Sequence, residues 1–326
     1  EPLINKVMNV DWDEKGRLWV CETPEYPNGR RELNVEKWKD SGSWTKKYDR
    51  DPIDRISWLE DTNGDGVSDR KELFYPGMGR VTNMEWQPGG MTQALDNWLY
   101  TTYNPFRLRV MPGGKIAREE TDPNGGQWWS AQDNYGKVWW VDGGGEIGPV
   151  NFQAPIVYGA FNVKDNFEPD FQVPWPAPGG IADMQGGMSR VRMPDGTLNH
   201  FTAASGVEIY RGHRLPKDMV GDLFFTEPVG RIVRRAKVVV TDGLTQLKNA
   251  HPQSEFLRST DPLFRPVAIT NAPDGSLYVI DWHNVLIGHM QHNARDPLRD
   301  HVHGRIYRIT YPSRPLVKPA LIEKAP

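Results

Sequence analysis

With 32 Gly, 27 Pro and 13 Trp among 326 residues, and no long apolar stripe at helical spacing, the chain is suited to many short strands joined by turns. Its formal net charge of −3 provides no basic field for nucleic acid, and it has no apolar run of the roughly 18 residues that a transmembrane helix needs. Cys21 stands alone, which excludes an internal disulfide and, without Cys-x-x-Cys-His, a c-type haem attachment; at the end of an inner strand it reads as a buried thiol.

The first recognisable element is Asp13-Glu-Lys-Gly-Arg-Leu-Trp-Val20, a polar turn feeding a short strand of β-branched and aromatic residues. It recurs as Leu95-Asp-Asn-Trp-Leu-Tyr-Thr101, Asp133-Asn-Tyr-Gly-Lys-Val-Trp-Trp-Val141, Val220-Gly-Asp-Leu-Phe-Phe-Thr226 and Asn271-Ala-Pro-Asp-Gly-Ser-Leu-Tyr-Val-Ile-Asp-Trp282. A second alternating element follows most copies: Arg55-Ile-Ser-Trp-Leu59, Arg107-Leu-Arg-Val110, Arg231-Ile-Val-Arg234 and Arg305-Ile-Tyr-Arg-Ile309. Spacings of about 40, 55 and twice about 80 residues fit blades of roughly 40 to 50 residues with insertions.

The pattern predicts an all-β chain folded as a β-propeller, with six blades the expected count. Residues 21–54 hold an insertion, and a degenerate blade falls around Arg190-Val-Arg-Met-Pro-Asp-Gly-Thr197. One propeller domain is expected over 1–311. The Pro- and Lys-containing stretch 312–326 reads as a tail or linker. The chain opens at Glu1 without a charged and apolar leader, as expected after removal of a signal peptide.

Between two strands of the first blade lies Asp61-Thr-Asn-Gly-Asp-Gly-Val-Ser-Asp-Arg-Lys-Glu72, which meets the calcium-loop pattern D-x-[DN]-x-[DN]-G-x5-E at every specified position. Asp61, Asn63, Asp65 and Glu72 offer side-chain oxygens, Val67 a backbone carbonyl, and Asp69 an oxygen directly or through water. Gly66 gives the bend. Because Arg55 to Leu59 reads as a strand and not an EF-hand helix, a structural calcium is expected, against the plainer alternative of an acidic, solvated turn.

If the repeated strands are equivalent, the residues that follow them emerge together on one face. That set is Glu22, Glu25, Tyr26 and Arg30, then Tyr103 and Asn104, Asp142 and Glu146, Glu227, and finally Asp281 and His283. Carboxylates, aromatic rings and an imidazole suit a polar ligand such as a sugar, although each residue alone also fits a loop hydrogen bond. The run Asp142-Gly-Gly-Gly-Glu146 lacks the strand-to-helix setting of a nucleotide fingerprint, and no Gly-x-Ser-x-Gly or His-Glu-x-x-His sequence occurs.

Five of the eight histidines crowd the C-terminal region: His283, His289, His292, His301 and His303. Together with Arg295, Asp296, Arg299 and Asp300 they could ligate a transition metal, transfer protons near neutral pH, or tie down a loop through charged hydrogen bonds. In an extended segment His301 and His303 share a face, as two ligands of one ion would.

The stretches Val207-Glu-Ile-Tyr-Arg-Gly212, Gly221-Asp-Leu-Phe-Phe-Thr-Glu-Pro228, Phe256-Leu-Arg-Ser-Thr-Asp261, Phe264-Arg-Pro-Val267, Pro273-Asp-Gly-Ser-Leu-Tyr-Val-Ile-Asp281 and Arg295-Asp-Pro-Leu-Arg-Asp-His-Val-His-Gly-Arg-Ile-Tyr-Arg308 closely resemble the propeller of bacterial membrane-bound dehydrogenases of the planctomycete and verrucomicrobial type. That family is distantly similar to the soluble quinoprotein glucose and sorbosone dehydrogenases, six-bladed propellers that use pyrroloquinoline quinone and calcium. The resemblance implies a periplasmic or extracellular oxidoreductase acting on a carbohydrate or other small polar substrate, with a c-type cytochrome as electron acceptor. His283 is then the first choice of base, with Asp281, Glu227, Tyr26 and Arg30 around it. Two alternatives stand beside it: a non-catalytic propeller binding a glycan or protein, and a polysaccharide lyase or hydrolase.

Overall fold

A computed structural model describes residues 4, 7–13, 15, 17–24, 32–36, 45–48, 50–78, 90–102, 106–121, 127–142, 148–152, 167–179, 193–242, 244–285, 297, 300 and 302–318. The chain divides into two compact units, Glu1–Trp129 with Ala154–Ile156, and Ser130–Gln153 with Val157–Pro326.

In the first unit β1 (Val7–Trp12) and β2 (Leu18–Glu22) precede an inserted hairpin, β3 (Glu32–Glu36) with β4 (Thr45–Tyr48), before β5 (Arg55–Glu60) and β6 (Arg70–Pro76) complete a sheet of order β1-β2-β5-β6. The hairpin lies where the insertion at 21–54 was expected. A second four-stranded sheet follows: β7 (Met91–Gln93), β8 (Leu99–Thr101), β9 (Phe106–Val110) and β10 (Ile116–Glu120).

The strand β11 (Gln127–Gln132) carries the chain onward and pairs with β12 (Val138–Asp142) and β13 (Gly148–Phe152). Next come β14 (Val207–Ile209), β15 (Leu223–Glu227), β16 (Ile232–Thr241) and β17 (Leu244–Asn249), with the short β18 (Leu257–Arg258) also on β16. The last sheet is β19 (Pro266–Asn271), β20 (Leu277–Asp281) and β21 (Arg305–Ile309). All are antiparallel meanders of successive strands, so the chain is an all-β, propeller-like series of small sheets. No described helix is long and apolar enough to cross a membrane.

Each repeated sequence element is the second strand of its sheet, and each Arg-led element, apart from Arg231 in one copy, lies in the third. Central strands are buried; β15 is buried along its whole length, whereas the outer strands β6, β10 and β21 are mostly exposed. Those edges carry charges, among them Arg70, Lys71, Glu72, Arg118, Glu119 and Glu120, which discourage pairing with another chain.

Five of the turns share one construction. In each, an aspartate accepts the backbone N–H two residues ahead: Asp13 from Lys15, Asp96 from Trp98, Asp133 from Tyr135, Asp195 from Thr197 and Asp274 from Ser276. A left-handed residue, Asn97, Gly136, Gly196 or Gly275, then closes four of these turns. The turn at 193–197 therefore repeats the one at 272–276 in the position expected for a degenerate blade, although residues 180–192 lie outside the described set and six blades are not traced.

Each unit has its own core. Ile56, Met78, Met91, Leu99, Phe106 and Leu108 form one in the first unit; Tyr210, Leu215, Phe224, Val233, Phe264, Ile269, Leu277 and Val279 form one in the second. In the second unit β14 approaches β19 so closely that a Cβ on Gly206 would lie 2.5 Å from the Ala268 Cα.

Candidate functional site

The second strand of four sheets ends on an acid: Glu22, Asp142, Glu227 and Asp281. The side chains of Glu22, Glu227 and Asp281 are buried, and each ties down structure around it. In the first unit Glu22 accepts Arg55 Nε at 2.9 Å, Ser57 Oγ at 2.9 Å and Lys71 Nζ at 2.7 Å, which locks β2 to β5 and β6. In the second, Glu227 accepts the backbone N–H groups of Thr202 at 3.2 Å, Ala203 at 2.8 Å and Gly230. Burial nevertheless pushes the Glu227 pKa up, against the pull of those donors. A Cβ at 230 would stand 2.8 Å from Glu227 Oε2 and force that carboxylate to shift.

Asp281 is different. Its Oδ1 accepts the N–H groups of Arg265 at 2.7 Å and His283 at 2.8 Å, but its Oδ2 has no partner among the described residues. His283 Nδ1, 3.8 Å from that oxygen, is also unpartnered, as are both amide atoms of Asn284. Asp281, Asn284 and His283 are 1%, 2% and 8% exposed, so four polar atoms on one short segment are withdrawn from solvent with no hydrogen-bond partner among the described residues. Native interiors rarely leave such groups unsatisfied. His283 also has φ 53, a left-handed conformation that costs a residue with a Cβ and is found disproportionately at functional positions.

This segment is held by Arg265, whose guanidinium donates to the carbonyls of Asn284 at 2.9 Å, Val285 at 2.9 Å, Pro228 at 3.0 Å and Val229 at 3.4 Å. It thus links the loop after β15 to the loop after β20. Burial, then the neighbouring Arg231, brings the Arg265 pKa down to about 10. Arg231 closes the turn before β16 with φ 59; burial and then Arg258 lower its pKa. Nearby Asp261 accepts Leu263 N at 2.9 Å and Arg305 Nη1 at 3.2 Å, and these bonds, with the field of His283, hold its carboxyl below the usual range.

Arg265 thus ties the loop after Glu227 to the segment in which His283 stands beside Asp281. Cys21 is buried, and desolvation pushes its thiol up to about 12, the state of an inert packing residue. Glu25, Tyr26, Arg30, Tyr103, Asn104, Glu146, His289, His292, Arg295, Asp296, Arg299 and His301 lie outside the described residues. At His303 the geometry is that of a turn: Asp300 accepts the N–H groups of Val302 at 2.9 Å and His303 at 3.0 Å, and the His303 Nδ1 lies 2.9 Å from its other oxygen. Those bonds draw the Asp300 pKa down to about 2.

In the loop at 61–72, Asp61 accepts the N–H groups of Gly64 at 2.5 Å and Gly66 at 2.9 Å, Asn63 that of Asp65 at 3.0 Å, and Asp65 that of Val67 at 2.7 Å. Asp69 is engaged by Thr62, and Glu72 by Arg70. Among the described residues no group of three or more His, Cys, Asp or Glu is arranged to hold a metal ion. Arg265, Asn284, Arg231, Arg258 and Asp261 were not singled out as site residues from the sequence. The available signal was a charged residue inside the apolar strand entry Phe264-Arg-Pro-Val267.

Fold and site together define a propeller-like all-β protein with a buried acid–imidazole pair at one strand end. The chain belongs to the family described as a domain of unknown function, DUF7133, whose model matches residues 1–84 and 74–313. No curated protein matches its sequence. Among solved structures it is similar to the pyrroloquinoline quinone-bound aldose sugar dehydrogenase of Streptomyces coelicolor (13% identity, 94% of this chain and 94% of that one, TM-score 0.44). It is also similar to the soluble apo aldose sugar dehydrogenase of Escherichia coli (13%, 82% and 76%, 0.45) and to virginiamycin B lyase of Staphylococcus aureus (14%, 84% and 77%, 0.35).

Proposed function

We propose that the protein is an extracytoplasmic dehydrogenase of a sugar or other polyol, built as a six-bladed propeller, in which His283 is the base and Asp281 positions it. The observation that carries this reading is the pair of unpartnered, buried atoms His283 Nδ1 and Asp281 Oδ2, 3.8 Å apart. An imidazole uncommitted to the scaffold can accept a hydroxyl proton, and a carboxylate beside it stabilises the imidazolium that results. A quinone, when bound, would supply the two-electron acceptor for the hydride, and Asn284, whose amide atoms have no partner among the described residues, would be the polar group to contact it. The remaining chemistry belongs to the chain: Arg265 holds the segment 281–285 in place. The loop at 61–72 is read as a structural calcium site.

The test is dye reduction by protein supplied with pyrroloquinoline quinone and calcium, over a panel of aldoses and polyols. His283→Gln is expected to lower kcat by roughly 10² to 10⁴. Undiminished turnover in that variant, or no turnover with any sugar, would sink the reading. A second reading, a glycan-binding propeller, draws on Glu22 and Glu227, whose carboxylates are already committed to their own scaffold; it predicts saturable sugar binding without turnover.

A further inference from the structure

We propose that Arg231 and Arg258, on the rim beside His283, form an oxyanion subsite that selects a sugar bearing a carboxylate, such as a uronic or aldonic acid, over a neutral one. The proposal rests on the sugar-directed reading above and names its substrate class.

Strand pairing sets the two arginines on adjacent stretches of backbone. Arg258 lies on β18, whose register places it opposite Ile232, the residue after Arg231, and Ser259 N donates to the Arg231 carbonyl at 3.2 Å. Like charges side by side are costly unless a counterion sits between them, and three carboxylates of the neighbourhood are already committed. Glu255 is bonded to Arg234 and to Trp175 N, Asp261 to Arg305 and Leu263 N, and Glu227 to three backbone N–H groups. Among the described residues neither Arg231 nor Arg258 has an acidic partner within ion-pair distance.

The one hydrogen bond of the Arg231 side chain is a long one, Nη2 to the Gly179 carbonyl at 3.4 Å, and its Nε is buried without a partner. Arg258 is exposed. Arg265, the third guanidinium nearby, is spent on carbonyls and adds its positive charge without offering a donor. The exposed guanidinium fork of Arg258, with the charge of Arg231 beside it, matches the planar, bidentate geometry of a carboxylate better than a neutral hydroxyl. His283 lies on the same rim: Arg265 bonds both the Val229 carbonyl, two residues before Arg231, and the Asn284 carbonyl, one residue after His283, and Trp282 packs against the apolar cluster that contains Val229. A substrate anchored by its carboxylate there would bring its hydroxyl-bearing carbons toward the imidazole.

Calorimetric titration of the purified chain, at constant ionic strength and with no quinone added, tests this apart from turnover. Galacturonate and glucuronate are expected to bind at least tenfold more tightly than galactose and glucose. Arg258→Gln should reduce that preference about tenfold, with Arg258→Lys between, because lysine keeps the charge but loses the fork. Equal binding of acidic and neutral sugars, acetate binding as tightly as uronate, tighter binding of glucose 6-phosphate than of glucuronate, or an unchanged preference in Arg258→Gln would each overturn it. Uronate preference without dye reduction would uphold the subsite and sink the dehydrogenase reading, whereas turnover of neutral sugars alone would do the reverse.

Discussion

Four main-chain carbonyls on two loops, those of Pro228, Val229, Asn284 and Val285, take their hydrogen bonds from the single side chain of Arg265. Its charge is balanced at a distance by Glu227 and Asp281. Arg265→Met is expected to cost about 3 to 5 kcal/mol, because it orphans four acceptors and leaves two buried carboxylates without their cation. Arg265→Lys restores the charge without the fork and should recover only part. Urea denaturation measures both, and a loss below about 1 kcal/mol in the methionine variant would show that the clamp is dispensable. Arg234 follows the same logic: it reaches Glu255 and the Phe171 and Val173 carbonyls, with its guanidinium 4.8 Å from the Phe201 ring centroid.

At the scale of elements, the repeated turn links sequence to stability through its aspartate. Hydrogen bonds from Thr197 draw Asp195 down; at Asp13 and Asp274 burial pushes upward but is outweighed, by Trp19 and Arg17 in one case and by Ser276 and Arg308 in the other. A carboxyl depressed in the folded state stabilises above its unfolded value and loses that contribution as pH falls through the folded one. Melting temperature should therefore decline below about pH 4, near the unfolded Asp value. Asp274→Asn, which keeps an acceptor but cannot titrate, should flatten that decline; an identical pH profile in the variant would refute the assignment. The sheet-to-sheet approach gives a second element-level prediction. Gly206→Ala forces backbone at Ala268 and Ile269 to move and should destabilise by about 1 to 3 kcal/mol in the same urea experiment.

For the molecule as a whole, two units with separate cores imply that ligands can stabilise one without the other. The loop at 61–72 belongs to the first unit. If it holds calcium, free calcium at a hundred times Kd adds about 2.7 kcal/mol to the stability of that unit, reversed by chelator. Asp61→Asn should abolish the response. A melting profile indifferent to calcium would leave the loop as the hydrogen-bonded turn described above, in which Asp61 and Asp65 serve Gly64, Gly66 and Val67.

By itself the sequence determined the class of fold, because a period-2 strand pattern behind a repeated Asp-containing turn is local chemistry. The turns before β2, β8, β12 and β20 are each capped by their own aspartate, and the strands β2, β8, β12, β15 and β20 fall on the repeated elements. It also determined that Glu22, Glu227 and Asp281 occupy equivalent strand ends. What each acid does there was decided only in three dimensions, since a carboxylate has one chemistry and many possible neighbours. Glu22 meets Arg55 and Lys71, Glu227 meets three backbone N–H groups, and Asp281 keeps one oxygen unpartnered beside His283. Arg265 stayed illegible for the same reason: a charge in an apolar strand declares that it must be compensated, but its carbonyl partners lie on loops 19 to 37 residues away along the chain, and only tertiary packing brings them within reach.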